Sequence, residues 1–139
     1  MANAGAKMFM GLLEAKGLHG RMEDGEDETL VRCGWKLDNT DLSLVFSFDD
    51  DGSYLSIYGY DFIKVNPEKF DQIIWTVNEC NSTYRFVKFI LDKERGEIML
   101  KVDAVVQLDS IAEEAFELMV RSGQIVDDAY PEFMKAMWA

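Results

Sequence analysis

The sequence predicts an α+β fold: a helix, a three-stranded antiparallel meander, a second helix, a β-hairpin and a long C-terminal helix. Three observations predict it. Apolar and polar residues alternate through positions 31–37, 42–48 and 97–104, the period of strands that pack on one face. Turn-forming clusters, Asp38-Asn39-Thr40-Asp41 and Asp49-Asp50-Asp51-Gly52, separate the first runs. From Ser110 onward the apolar period lengthens to that of a helix.

Residues 6–16 read as a short first helix with Phe9, Leu12 and Leu13 on one face, ended by Gly17. A helix of this length is not stable alone and must dock. Residues 22–28, MEDGEDE, then form an acidic linker with the character of a solvated loop. The chain is predicted to be a single domain over residues 1–139, with residues 1–28 as helix plus linker and residues 29–139 as the main sheet and helices.

In the meander, Val31, Cys33, Trp35 and Leu37 alternate with Arg32, Gly34 and Lys36, and Leu42, Leu44, Phe46 and Phe48 follow the same rule. The third strand turns Leu55 and Ile57 inward, which places Tyr54, Tyr58 and Tyr60 together on the opposite face. Packing and β-propensity account for such tyrosines. A recognition face accounts for them too, since tyrosine offers rigid area and a hydroxyl. Asn66-Pro67 opens the second helix, with asparagine as cap and proline at the first helical position. Phe70, Ile73, Ile74 and Val77 form its predicted core stripe. Trp75 lies about 140° round from Phe70 and needs another neighbour, either an adjacent loop or a second subunit.

The hairpin comprises residues 84–92 and 97–104 around Glu94-Arg95-Gly96, glycine supplying the positive φ of a short loop. Its first strand is apolar on both sides, as an inner or interface strand would be. Its second places Ile98, Leu100, Val102 and Ala104 inward and Glu97, Met99, Lys101 and Asp103 outward. Ser110-Ile111-Ala112-Glu113 has the form of a capping box. Beyond it Ile111, Ala115, Leu118, Ser122, Ile125 and Ala129 share one line, flanked by Met119, Val126, Tyr130 and Met137. That arc covers roughly half the circumference, more than the ~100° one neighbour needs. The helix is therefore expected to touch a sheet and something else, and Pro131 to kink it or begin a short terminal helix.

Chemistry is harder to find. Aligning Gly52 with the glycine of a calcium loop puts Ser47 and Tyr58 at the first and last ligand positions, where acids are required, so this is a hairpin turn. His19 is the only histidine, which excludes the usual multi-histidine metal sites and leaves nucleophilic catalysis without an obvious base partner, and no carboxylate pair is singled out among the 26 acidic residues. Glycine-rich phosphate loops and nucleophile elbows are absent from the sequence. Cys33 and Cys80 read as reduced, buried thiols. The sequence predicts no catalytic residue, no cofactor, no metal and no enzyme. A net charge of −12 argues against nucleic acid and anionic membrane as partners. With no secretory leader pattern and no run near ~20 apolar residues, the expected location is the cytoplasm.

The chain resembles the YbjN family of bacterial sensory transduction regulators. The likeness is carried by Asn78-Glu79-Cys80-Asn81, by Lys88-Phe89-Ile90-Leu91-Asp92 through Gly96-Glu97-Ile98, by Asp103, and by Ala129-Tyr130-Pro131 with Met137-Trp138. It is strong from about Pro67 onward; in the first half only the element order matches. The resemblance implies a fold like that of type III secretion chaperones and a cytoplasmic, non-enzymatic regulator, often dimeric, that acts through protein contacts. The family brings no catalytic residues to carry over. The acidic chain is thus expected to bind a protein partner and to form a homodimer, using Tyr54, Tyr58, Tyr60, Trp75, Tyr130 and Trp138. A secretion-chaperone-like holder of a protein client is the alternative.

Overall fold

The computed structural model describes residues 3–139. Its centre is an antiparallel sheet of β1 (Arg21–Asp24), β2 (Glu28–Lys36), β3 (Asp41–Asp49), β4 (Tyr54–Lys64), β5 (Lys88–Asp92) and β6 (Glu97–Val105), in the spatial order β1-β2-β3-β4-β6-β5. Three helices, α1 (Ala4–Ala15), α2 (Phe70–Thr83) and α3 (Ile111–Trp138), complete the α+β fold. Val31, Leu42, Leu44, Phe46, Phe48, Leu55, Ile57, Ile98, Leu100 and Val102 are all buried, and they occupy one parity of every strand they belong to. The helices add Phe9, Leu13, Ile73, Met119, Val126 and Phe133 to this single core. Among the described residues no helix covers the sheet's other face.

Local chemistry fixes the boundaries. Asn3 caps α1: its side-chain oxygen accepts from the amide of Ala6 at 2.8 Å, and its amide donates to the carbonyls of Phe48 at 3.0 Å and Asp49 at 3.2 Å. One side chain thus starts the helix and docks it on the end of β3. Asn66 accepts from the amide of Glu68 and opens a single 3-10 turn, Pro67–Lys69, that leads into α2. Gly96, at φ 64°, closes the β5–β6 turn.

Several expectations change. Four residues of the segment read as an acidic linker and its flank form β1, paired with β2 from Arg21↔Arg32 to Asp24↔Thr29. The strand is too short and polar for alternation to show, and its neighbour's backbone holds it. β5 is an edge strand rather than an inner one, and residues 84–87 precede it as a loop with Phe86 at φ 70°. Ile74 is exposed; the packed stripe of α2 runs through Phe70, Ile73, Val77 and Cys80. At the start of α3 Ser110 makes no side-chain cap, and Glu114 rather than Glu113 reaches back, accepting from the Ser110 hydroxyl at 3.1 Å and the Gln107 amide at 3.4 Å. The expectation that α3 touches a sheet and something else holds: Gly123 lies against Trp35 of β2, and α1 and α2 of this chain pack on α3 as well. Finally, α3 continues through Pro131 to Trp138 as one helix rather than ending in a separate piece.

Candidate binding surface

The helix-free face of the sheet carries ordered rows of charged and aromatic side chains. Followed through the strand registers, one row crosses all six strands: Arg21, Arg32, Val45, Tyr58, Lys101 and Lys88. Four of the six are cations, in a chain whose net charge is −12. The next row is Glu23, Leu30, Ser47, Ser56 and Asp103. Within these rows Arg32 pairs with Glu23 at 3.4 Å, Lys101 with Asp103 at 3.6 Å, and the Ser56 hydroxyl donates to Asp103 at 2.7 Å. The Ser47 hydroxyl donates to the Glu28 carboxylate.

A break in the β4–β6 register between Gly59 and Ile63 shapes the rim. Asp61 sits there at φ 65°, a conformation aspartate tolerates. The bulge brings Asp61 to 3.7 Å from Arg95, which also stands over the Tyr60 ring at 5.3 Å and reaches Glu97 at 3.6 Å. Glu97, predicted to face water, is fully buried. Lys64 bonds one of its carboxylate oxygens at 3.0 Å, while the other has no hydrogen-bond partner among the described residues. Between rim and strands lies an open groove of about 780 Å³, lined by Arg21, Arg32 and Arg95, by Tyr58 and Tyr60, and by Glu28 and Asp61.

The six aromatic residues predicted to bind a partner fall into separate places. Tyr58 and Tyr60 stack with ring centroids 6.5 Å apart and planes within 17°, forming part of the groove wall. Tyr54 shares their face but stands 59% exposed at its far end, opposite Val105. Trp75, 73% exposed on α2, and Trp138, 83% exposed at the end of α3, belong to the helical layer. Tyr130 is half-buried against the core. Exposed Phe86, Val105 and Leu108 add apolar surface at the end where α3 begins; Phe86 and Val105 line a groove of about 480 Å³ there, with Leu118 and the carboxylates of Glu113, Glu114 and Glu117.

Sequence reasoning missed the arginines. Arg21 lay in an unrecognised strand, and nothing local to Arg32 or Arg95 says that strand pairing and the β5–β6 turn bring them to one groove. The like-handed alternation around Arg32 was the one visible signal.

Both cysteines are free and buried. Burial raises the Cys33 thiol, and burial, with Glu132 and Glu79 nearby, pushes Cys80 up to about 11. Among the described residues no group of three His, Cys, Asp or Glu side chains is placed to hold a metal ion, and no helix is long and apolar enough to cross a membrane.

Comparison with known structures gives the crystal structure of YbjN, described as "a putative transcription regulator from E. coli", at a TM-score of 0.59 and 11% identity, covering 91% of this chain and 92% of that one. An uncharacterized protein from Methanothermobacter thermautotrophicus matches at a TM-score of 0.55 and 15% identity, over 93% of this chain and 99% of that one. At these identities the likeness is one of fold. No curated protein matches in sequence. The family described as "YbjN: Putative bacterial sensory transduction regulator" matches residues 6–135, and the chain belongs to that family.

Proposed function

We propose that this chain is a non-enzymatic regulator that acts in the cytoplasm by contacting another protein, and that it works as a homodimer. The observation that carries the reading is the exposure of Trp75 and Trp138 on the helical layer. A solvent-facing tryptophan leaves a large apolar surface in water, and tryptophan is the residue most enriched where protein contacts hold their binding energy. Ile74, on the same helix, is exposed as well.

Light scattering after gel filtration tests the dimer. The expected mass at tens of micromolar is twice 15.9 kDa, reverting toward 15.9 kDa in Trp75→Ser or Trp138→Ser. A monomeric wild type removes the dimer. Affinity capture from the native cell tests the partner: recovery of one protein by wild type, lost in the tryptophan variants, supports the reading.

A second reading, a holder of a protein client, draws on Tyr54, Tyr58 and Tyr60 and on the apolar surface of Phe86, Val105 and Leu108. Its test is the triple replacement of these tyrosines by serine. Unchanged client recovery counts against it.

A further inference from the structure

We propose that the groove on the helix-free sheet face is a binding site for a small organic oxyanion, a carboxylate or phosphate carried on a flat body. The reading is separate from the protein contacts assigned to the helical layer.

The argument begins with a repulsion. Arg21 and Arg32 are directly opposed on β1 and β2, where side chains on one face stand about 5 Å apart at Cβ and like charges disfavour the pairing. Arg32 is offset by Glu23, but Arg21 has no ion-pair partner among the described residues. The third arginine of the groove, Arg95, is already engaged by Asp61 and Glu97. At one pole of the groove the arginine is therefore paired, and at the other Arg21 stands opposite Arg32 without an ion pair of its own among the described residues. Guanidinium presents a planar fork of donors that matches the two oxygens of a carboxylate or phosphate, and an anion there would relieve the repulsion as it bound.

The rest of the lining sets the body of the ligand. Tyr58 lies in the same row as both arginines, two strands from Arg32, and stacks with Tyr60 to make a flat aromatic wall. A volume of about 780 Å³ falls within the range of small-molecule sites, roughly 300–1,000 Å³. Glu28 and Asp61 in the same lining hold the occupant to one or two anionic groups. The net charge of −12 acts against a polyanion that would extend beyond the groove, whereas a compact anion is screened from the distant charges over about 8 Å.

The test uses the full chain at fixed ionic strength and four probes: acetate, benzoate, inorganic phosphate and phenyl phosphate. Arginine side-chain NH resonances report the seat, with Arg85 and Arg121 as internal controls outside the groove. Saturable shifts confined to Arg21 and Arg32 are expected, with each aromatic probe binding about tenfold tighter than its non-aromatic counterpart. The benzoate and phenyl phosphate arms show which oxyanion is preferred. Arg21→Ala is expected to reduce affinity at least tenfold while leaving the melting temperature unchanged or higher, because it removes the opposed charge. Tyr58→Ser should erase the advantage of the aromatic probes and spare the rest. Shifts that grow linearly with concentration and equally over all arginines would overturn the site, as would unaltered affinity in Arg21→Ala. Equal binding of aromatic and non-aromatic probes would overturn the flat body.

Discussion

The side-chain amide of Asn39 donates to the backbone carbonyl of Asp127 at 3.0 Å. That carbonyl is the one Pro131, four residues on and without an N–H, cannot bond. The contact is reciprocal, because the Asp127 carboxylate accepts from the amides of Asp38 at 3.2 Å and Asn39 at 2.9 Å. The β2–β3 turn thus repairs α3 where proline opens it, and α3 orders the turn in return. Asn39→Ala is expected to cost about 1 kcal/mol, the net value of such a bond. Pro131→Ala restores the helical N–H and should stabilise by about 2 kcal/mol, out of the ~3 that separates proline from alanine in a helix interior. In that background the cost of Asn39→Ala should fall by about half. Urea unfolding of the four proteins closes the cycle, and a cost for Asn39→Ala that is equal in both backgrounds would sink the coupling.

Asn81 plays the part of a missing neighbour strand. Near the end of α2 it accepts from the Phe89 amide at 2.7 Å and donates to the Phe89 carbonyl at 3.0 Å. β5 is an edge strand, and such an edge must be paired or covered. Asn81→Ala leaves a part-buried donor and acceptor without partners, a loss of about 2 kcal/mol. Asn81→Asp keeps the acceptor and should lose less than alanine does. Thermal unfolding ranks the two, and an alanine variant as stable as wild type would show that water replaces the side chain.

The contrast between these two asparagines explains how much the sequence disclosed. Helices, the meander and the hairpin were legible because each is written locally, in alternation, in Asn66-Pro67 and in Gly96. Asn39 and Asn81 act on partners 88 and 8 positions away, and the three groove arginines come from β1, β2 and the β5–β6 turn, so nothing near them announces their partners. β1 was lost for the same reason, since its pairing with β2 and not its own four residues makes it a strand. At Pro131 the local rule was sound, and a distant side chain supplied what the rule lacked.

Gly123 in α3 lies under Trp35 of β2: a β-carbon there would stand 2.6 Å from the indole Cζ3 and 2.9 Å from Leu37 Cδ2. The glycine costs the helix about 1 kcal/mol relative to alanine, which fixes the sign of the test. If packing decides, Gly123→Ala destabilises despite better helix propensity, by about 1–2 kcal/mol as an overpacked contact does. Trp35→Leu with Leu37→Ala should remove both close contacts, so that Gly123→Ala becomes stabilising in that background. Midpoints of urea unfolding read both signs, and a stabilising Gly123→Ala in the wild type would mean that the indole yields freely.

Cys80 gives the chain an alkaline limit. Its thiol is raised from 9.0 to about 11 by burial first, then by Glu132 and Glu79. Tyr84, beside it, is raised by burial and by Asp128, Cys80 and Glu132. Below pH 9 both folded and unfolded chains keep the Cys80 proton, and its contribution to stability is intact. Between pH 9 and about 11 the unfolded chain releases the proton while the folded chain holds it, so stability falls as pH rises; above that the slope ends. The loss is on the order of 2 kcal/mol. Cys80→Ala should flatten this part of the stability profile and reduce the Tyr84 part without abolishing it, because burial and Asp128 still raise Tyr84. The same burial predicts that at pH 8 only roughly a thousandth of the folded thiol is thiolate, against about a tenth of the unfolded one. A thiol reagent such as dithionitrobenzoate should therefore label Cys80 slowly in buffer and quickly in urea, and equal rates in the two would refute the burial that drives the shift.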